Sequence, residues 1–186
     1  MTAAAERTFL FVLGSTRTDG NTEQLARRAA EQLPEGSRRE WVRLTDLPLP
    51  DFEDLRHTGD GRFPEPAGNA RRLLDATLGA TDVVIASPLY WYSLSTPAKL
   101  YLDHWSAWLE APELAFKDRM GGKTLWGVTA LAEEDRTVAD PLAGALRHTA
   151  AYMDMRWGGL LLGNGSAPGQ VQSDHQALAE AKSFFA

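Results

Sequence analysis

Two stretches of this chain are apolar at every position yet too short for helices. Phe9-Leu10-Phe11-Val12-Leu13 stops at Gly14, and Val83-Val84-Ile85-Ala86 stops at Ser87-Pro88. A strand with one wet face alternates apolar and polar residues, so runs without alternation indicate strands buried on both faces. Residues 39–44, 123–131 and 156–162 read as three further strands, and 39–44 is polar enough to lie at a sheet edge. Helical spacing fills the gaps between them. Segment 21–33 puts Leu25, Ala26, Ala29, Ala30 and Leu33 on one face, and 67–78 is a modest helix. From Pro97 onward Ala98, Tyr101, Leu102, Trp105, Trp108 and Leu109 share a face behind Thr96 as cap. Helices over 141–153, capped by Asp140, and 173–185, capped by Ser173 or Asp174, complete the pattern. Five strands alternating with helices imply a parallel sheet covered on both faces. With the two wholly apolar strands adjacent and central, the doubly wound order 2-1-3-4-5 follows.

A chain of 186 residues fits one domain spanning 1–186, and at this length folding buries about 70% of the unfolded surface without metal or crosslinks. It has no cysteine, which excludes disulfides, thiolate metal sites and thiol nucleophiles. Nineteen Lys and Arg against 25 Asp and Glu leave a net charge of −6, a poor balance for a nucleic-acid binder. Residues 1–8 carry Glu6 and Arg7, and the apolar run after them is too short for a signal core. No segment approaches the ~18 apolar residues of a membrane span, so a cytoplasmic protein with no membrane partner is expected. The connection 46–66, with prolines at 48, 50, 64 and 66, is long for a structural link and reads as a functional or interface loop.

In sheets of this order ligands bind beyond the carboxyl ends of the strands, where the first and third part company. Two unusual loops fall there. After the first strand, Gly14-Ser15-Thr16-Arg17-Thr18-Asp19-Gly20-Asn21-Thr22 leads into a helix. Its hydroxyls, the Asn21 amide, the Arg17 cation and the helix N-terminus compose a phosphate cradle. The competing reading is a plain turn and cap, with Asn21 and Gln24 forming a capping box. After the third strand, Ser87-Pro88-Leu89-Tyr90-Trp91-Tyr92-Ser93 holds three consecutive aromatics, which cannot all enter one core from a loop. They serve either as a wall for a flat conjugated ligand or as packing under the loop or against another subunit.

The glycines of the first loop do not have dinucleotide G-x-G-x-x-G spacing, and Gly20-Asn21-Thr22 is not the Gly-Lys-Ser/Thr of a Walker loop. A serine hydrolase lacks its G-x-S-x-G. A phosphorylated receiver lacks acidic residues at the strand ends, and His57, His104, His148 and His175 are too dispersed for zinc, so no metal is expected.

Taken together, the two loops suit a ligand with a phosphate tail and a planar head. Through Gly14-Ser15-Thr16-Arg17, Asn21-Thr22, Ser87 to Ser93 and Pro97-Ala98-Lys99-Leu100-Tyr101-Leu102-Asp103, the chain resembles the flavodoxin-like NAD(P)H-dependent FMN reductase family. Weaker likeness continues through Gly121-Gly122-Lys123 to the last strand, and Leu47-Pro48-Leu49-Pro50-Asp51 is similar to the family's proline segment. The resemblance implies a flavodoxin-like α/β three-layer sandwich that uses FMN, with NADPH or NADH as co-substrate. It implies that Ser15, Arg17, Asn21 and Thr22 hold the FMN phosphate. It implies further that Pro88, Leu89, Tyr90, Trp91, Tyr92 and Ser93 line the isoalloxazine, with Thr129 and Ala130 bordering it from the fourth strand. Asp154 stands where family members often carry glycine, and aspartate tolerates the left-handed backbone better than most residues.

The implied activity is hydride transfer from a nicotinamide through FMN to a small acceptor of quinone, azo, nitro or flavin type. No catalytic side chain is nominated, because the cofactor carries the chemistry. The acceptor pocket is expected from Tyr90, Trp91, Tyr92, the 46–66 loop and the 163–169 connection. The alternative is a flavodoxin-type electron carrier. Trp105 and Trp108 read as core or dimer packing, and the wide apolar face of their helix predicts a homodimer or homotetramer.

Overall fold

A computed structural model describes residues 6–186; of the leader segment weighed above, residues 1–5 lie outside the described residues. Five parallel strands, β1 (Thr8–Leu13), β2 (Arg38–Arg43), β3 (Asp82–Ala86), β4 (Thr124–Leu131) and β5 (Arg156–Asn164), form one sheet in the order β2-β1-β3-β4-β5. The expected order is therefore the observed one. The polar strand β2 lies at an edge, and β1 and β3 sit side by side in register Leu13 to Ala86.

Side chains of a strand point alternately to opposite faces, and β1 divides its run that way. Leu10 and Val12 enter a core with Val83, Ile85 and Leu125. The helices α2 (Gly68–Gly79), α3 (Thr96–Leu109) and α5 (Asp140–Tyr152) cover that face. Phe9, Phe11 and Leu13 enter the opposite core under α1 (Asn21–Ala30) and α6 (His175–Ala181). There Phe11 stacks on Trp41 with centroids 4.1 Å apart, and Phe185 meets Phe9 and Trp126 edge-on at 5.3 Å each.

The short helix α4 (Phe116–Met120) changes one expectation. Phe116 meets Trp105 at 5.5 Å and Trp108 at 5.3 Å, both edge to face, and both tryptophans are buried within the chain. Trp105 and Trp108 of the α3 face are thus covered by the chain's own α4, while Leu102 and Leu109 of that face stay half-buried.

Several helix ends differ from the spacing-based reading. Thr96 is the first residue of α3 rather than its cap, and Ser95 in front of it caps nothing with its side chain. Asp140 begins α5 without capping it. The closing helix is shorter than expected: a turn at Gln170–Ser173 precedes α6, and Asp174 supplies the cap by accepting the Ala177 N–H at 3.0 Å. Asp154 closes α5 at φ 55°, the left-handed conformation anticipated for it. In β5 an extra residue interrupts the ladder between Leu125 and Trp126. A Cβ on Gly158 would lie 2.3 Å from the Trp126 ring, so a glycine bulge makes room for that indole.

Candidate functional site

The carboxyl ends of β1, β3 and β4 open onto one cleft of about 480 Å³. One wall is the loop from Ser15 to Thr22, another is Pro88, Leu89 and Tyr90, and the floor is Ala130, Leu131 and Ala132. Gly165, Ser166 and Pro168 of the last connection close the remaining side.

Local chemistry explains why the two loops lie together. The Ser95 hydroxyl donates to the Gly14 carbonyl at 2.7 Å, and the Ser95 N–H donates to Ser87 Oγ at 2.9 Å. Three buried groups thereby tie the end of β1 to both ends of the second loop. A Cβ at Gly14 would lie 2.8 Å from both Ala98 Cβ and Ser95 Oγ, so only glycine permits α3 to approach so closely.

The first loop is polar, and its two charged side chains, Arg17 and Asp19, both line the cleft. Ser15 Oγ accepts the Arg17 N–H at 3.0 Å, and the Thr22 hydroxyl accepts the Ala130 N–H at 3.2 Å, joining the loop to β4. Gly20 is the N-cap position of α1 and its side has no capping side chain. The N–H groups of Asn21, Thr22 and Glu23 therefore have no acceptor inside the helix. Arg17 is exposed on the cleft wall, and among the described residues its guanidinium is in no ion pair. Helix-start N–H groups, hydroxyls and an unpaired arginine are the donor set a phosphate dianion requires. The fit holds.

Asn21 contributes differently from the sequence reading. Its amide nitrogen donates to Gly165 O at 2.8 Å and to Ala167 O at 2.9 Å. There is no capping box with Gln24, whose side chain donates to Asp19 O at 2.8 Å instead. Asn21 thus fastens the last connection over the cleft and leaves its backbone N–H for a ligand.

The aromatic loop divides. Tyr90 and Ser93 exchange both backbone hydrogen bonds, at 3.1 and 3.0 Å, around a two-residue turn. Trp91 and Tyr92 occupy that turn with φ of 49° and 63°. The turn leaves Trp91 93% exposed, so it does not wall the cleft, and neither do Tyr92 and Ser93. Thr129 also stays out of the cleft: it is fully buried inside β4, with an Oγ1 lacking any partner. The 46–66 connection lines no part of this cleft, although its start, at Leu47, Pro48 and Leu49, shares a hollow of about 410 Å³ with Thr16 of the first loop. It walls a separate hollow of about 380 Å³ against His104, Ala107 and Trp108, because His104 anchors it through Pro50 O at 2.9 Å.

Glu23 escaped the sequence reading. It is 3% exposed, and its carboxylate accepts from Arg43 at 2.6 Å, Arg27 at 2.8 Å and the Asp19 N–H at 3.0 Å. Burial alone would raise its pKa, but the hydrogen bonds from Arg43, Arg27 and Asp19 outweigh that and hold it below the ordinary 4.5. The available signal was its place three residues after Gly20, the glutamate position of a capping box.

A doubly wound sheet with a phosphate-type cradle and a partly apolar wall at its switch point is the architecture of flavodoxin-like FMN oxidoreductases. The sequence profile of the NADPH-dependent FMN reductase family matches residues 8–156, which include both loops, and the chain belongs to that family. It is accordingly an oxidoreductase that uses FMN and NAD(P)H. It is 32% identical over 169 residues, 90% of this chain and 91% of the relative, to the Bacillus subtilis protein named "Putative NAD(P)H-dependent FMN-containing oxidoreductase YwqN". The solved Trp repressor binding protein from Bacillus subtilis is 26% identical, with 96% of this chain and 97% of that one covered at a TM-score of 0.76. An FMN-dependent NADH-azoreductase from Bacillus anthracis, solved with FMN, shares the fold at 13% identity, with 94% and 95% covered and a TM-score of 0.59.

Proposed function

We propose that the cradle from Ser15 to Thr22 holds the phosphate of FMN, that Pro88, Leu89, Tyr90 and Ala130 border its ring, and that the protein reduces a small acceptor of quinone, azo, nitro or flavin type. FMN, when bound, would supply the two-electron redox chemistry between NADPH or NADH and the acceptor. The chain supplies placement, charge balance and exclusion of water. Arg17 and the start of α1 offset the phosphate charge. Pro88 and Leu89 give the ring end an apolar wall, and no side chain is nominated as acid or base. The supporting observation is that one cleft joins a donor-rich end carrying Arg17 to a partly apolar end on adjacent strands.

An absorption spectrum after incubation with FMN tests this, followed by anaerobic mixing with each nicotinamide. A flavin spectrum that bleaches with NADPH or NADH and recovers on adding a quinone, with no partner protein, is the expected result. Flavin binding without steady NADPH oxidation would indicate an electron carrier instead. A colourless protein that takes up no flavin overturns the reading.

The same reading treats the chain as a single FMN-binding domain working in the cytoplasm as a homodimer or homotetramer. With Trp105 and Trp108 covered by α4, the support for assembly is the exposed sequence Tyr90-Trp91-Tyr92 beside the cleft. Sedimentation showing only monomer at micromolar concentration would remove it. No helix among the described residues is long and apolar enough to cross a membrane.

A further inference from the structure

Glu23 presents a puzzle of sign. A carboxylate in the first turn of α1 should repel a phosphate bound at that helix start. Yet the fold buries it there, and two arginines from different elements clasp it. Arg43, the last residue of β2, donates to Glu23 Oε2 at 2.6 Å, and Arg27 on α1 donates to Oε1 through Nε at 3.0 Å and through its terminal nitrogen at 2.8 Å.

Arg27 also lies over the Trp41 ring at 4.5 Å, while the remaining hydrogen bonds of Glu23 and Arg43 go to loop backbone. Glu23 Oε2 accepts the Asp19 N–H at 3.0 Å, and Gln24 holds the Asp19 carbonyl at 2.8 Å. Arg43 also donates to the Arg17 carbonyl at 3.2 Å. The backbone on both sides of Thr18 is thus fixed from α1 and from β2. Asp19 has φ 56°, a left-handed conformation that aspartate tolerates better than most residues but still adopts at some cost unless its surroundings favour it. Here the favouring groups are the side chains of Glu23 and Gln24.

We propose that Glu23, clasped by Arg43 and Arg27, is the positioning residue of the phosphate cradle: it sets the path of residues 15–20, so that their donors and the Arg17 side chain face the cleft. The inference rests on the reading of that cradle as the FMN phosphate site. With two guanidinium groups around one carboxylate, the cluster carries a net charge of +1, so the position is held without leaving a net negative charge at the anion site.

Charge and positioning predict opposite results, which makes the proposal testable. If Glu23 acted as a bare charge, removing it would tighten FMN binding, and the gain would fade with added salt. If it positions the loop, removing it weakens FMN binding while leaving riboflavin, which has no phosphate, almost unaffected. The experiment titrates FMN and riboflavin by flavin fluorescence quenching into wild type, Glu23→Gln and Glu23→Ala at low and high salt, with thermal melts of each.

Glu23→Ala is expected to lose about tenfold in FMN affinity, the scale of one charge-assisted hydrogen bond, with riboflavin within about twofold of wild type. Glu23→Gln keeps an acceptor for the Asp19 N–H and should lose less, about threefold. If Glu23→Ala does not fold, Glu23→Gln decides alone. FMN affinity unchanged or increased in the variants overturns the proposal. Equal losses for FMN and riboflavin overturn it as well, because they mark general destabilisation. Should wild type itself fail to distinguish FMN from riboflavin, the phosphate-site reading falls and the proposal with it; selective wild type with equally selective variants sinks only the role of Glu23.

Discussion

Asp82 and Glu23 are both buried carboxylates clasped by arginine, at opposite ends of the same sheet. Asp82 begins β3, away from the cleft. It accepts from Arg7 at 2.7 and 3.1 Å, from Thr81 Oγ1 at 2.7 Å and from the Trp126 indole at 3.0 Å, while Arg7 also donates to Phe185 O at 2.9 Å. Its lone pairs thus hold the indole of β4, the hydroxyl just before β3 and, through Arg7, the end of the chain. Glu23 spends its contacts on arginines and a loop N–H. The ion-pair chemistry is the same in both places. What the remaining contacts hold decides whether the pair staples a core or shapes a ligand loop.

The largest effect should come from acid, which removes both clasps together. In the folded protein, burial pushes each carboxyl up, but hydrogen bonds (from Arg7, Thr81 and Trp126 to Asp82; from Arg43, Arg27 and Asp19 to Glu23) bring each below its ordinary value of 3.8 or 4.5. The folded state therefore binds fewer protons than the unfolded one in this range. The stabilisation is complete above about pH 4.5 and drains away as the pH falls through the lowered folded values. Urea midpoints should be level from pH 7 to 5 and drop steeply below 4. A midpoint unchanged at pH 3 would show that neither clasp stabilises the fold.

Next in size is Asp82→Ala, which separates the two ends. It strands Arg7 and the Trp126 N–H, and losing one member of a buried pair costs ~3–5 kcal/mol. Arg7 keeps about a third of its side-chain exposure, which places the expected loss near the lower bound, ~3 kcal/mol in urea unfolding. FMN affinity of the folded fraction should not change. A variant that loses FMN selectivity along with stability would show that the floor and the rim are coupled.

Arg17→Ala reverses that pattern at the rim. The side chain is exposed and in no ion pair among the described residues, so stability should move by less than ~0.5 kcal/mol. FMN affinity should fall about tenfold, ~1.4 kcal/mol, with riboflavin unaffected. Equal affinity for FMN in wild type and variant would take Arg17 out of the phosphate site.

The contrast between the two ends also marks how far the sequence could be read. Runs such as Phe9-Leu10-Phe11-Val12-Leu13 announce central strands because burial on both faces leaves a signature within five residues. The two loops were equally legible, because their glycines, hydroxyls and aromatics lie together in the chain. Glu23 was not, since its meaning depends on Arg43, twenty residues further on at the end of β2. The cover over Trp105 and Trp108 was hidden for the same reason: Phe116 reaches back from a different element. Trp91 marks a local limit: its residue type left a ligand wall and a subunit contact both open, and its direction is set by turn dihedrals that residue types do not reveal.

That turn carries the smallest prediction. Trp91 and Tyr92 hold positive φ at both central positions of a two-residue connection, the dihedral signature of a type I′ turn, which favours Asn-Gly. Bulky side chains there cost ~1 kcal/mol or more relative to glycine, and with Trp91 93% exposed they recover little by burial. Replacing the pair by Asn-Gly should therefore raise the stability of the isolated chain by ~1 kcal/mol, read as a higher urea midpoint at low protein concentration. In the assembled state the sign should reverse. If Trp91 and Tyr92 are buried between subunits, the Asn-Gly variant loses that apolar area and dissociates at concentrations where wild type is still associated. A variant more stable as a monomer and equally prone to associate would show that the aromatic turn lies outside the interface. A variant less stable as a monomer would show instead that these rings support the fold itself.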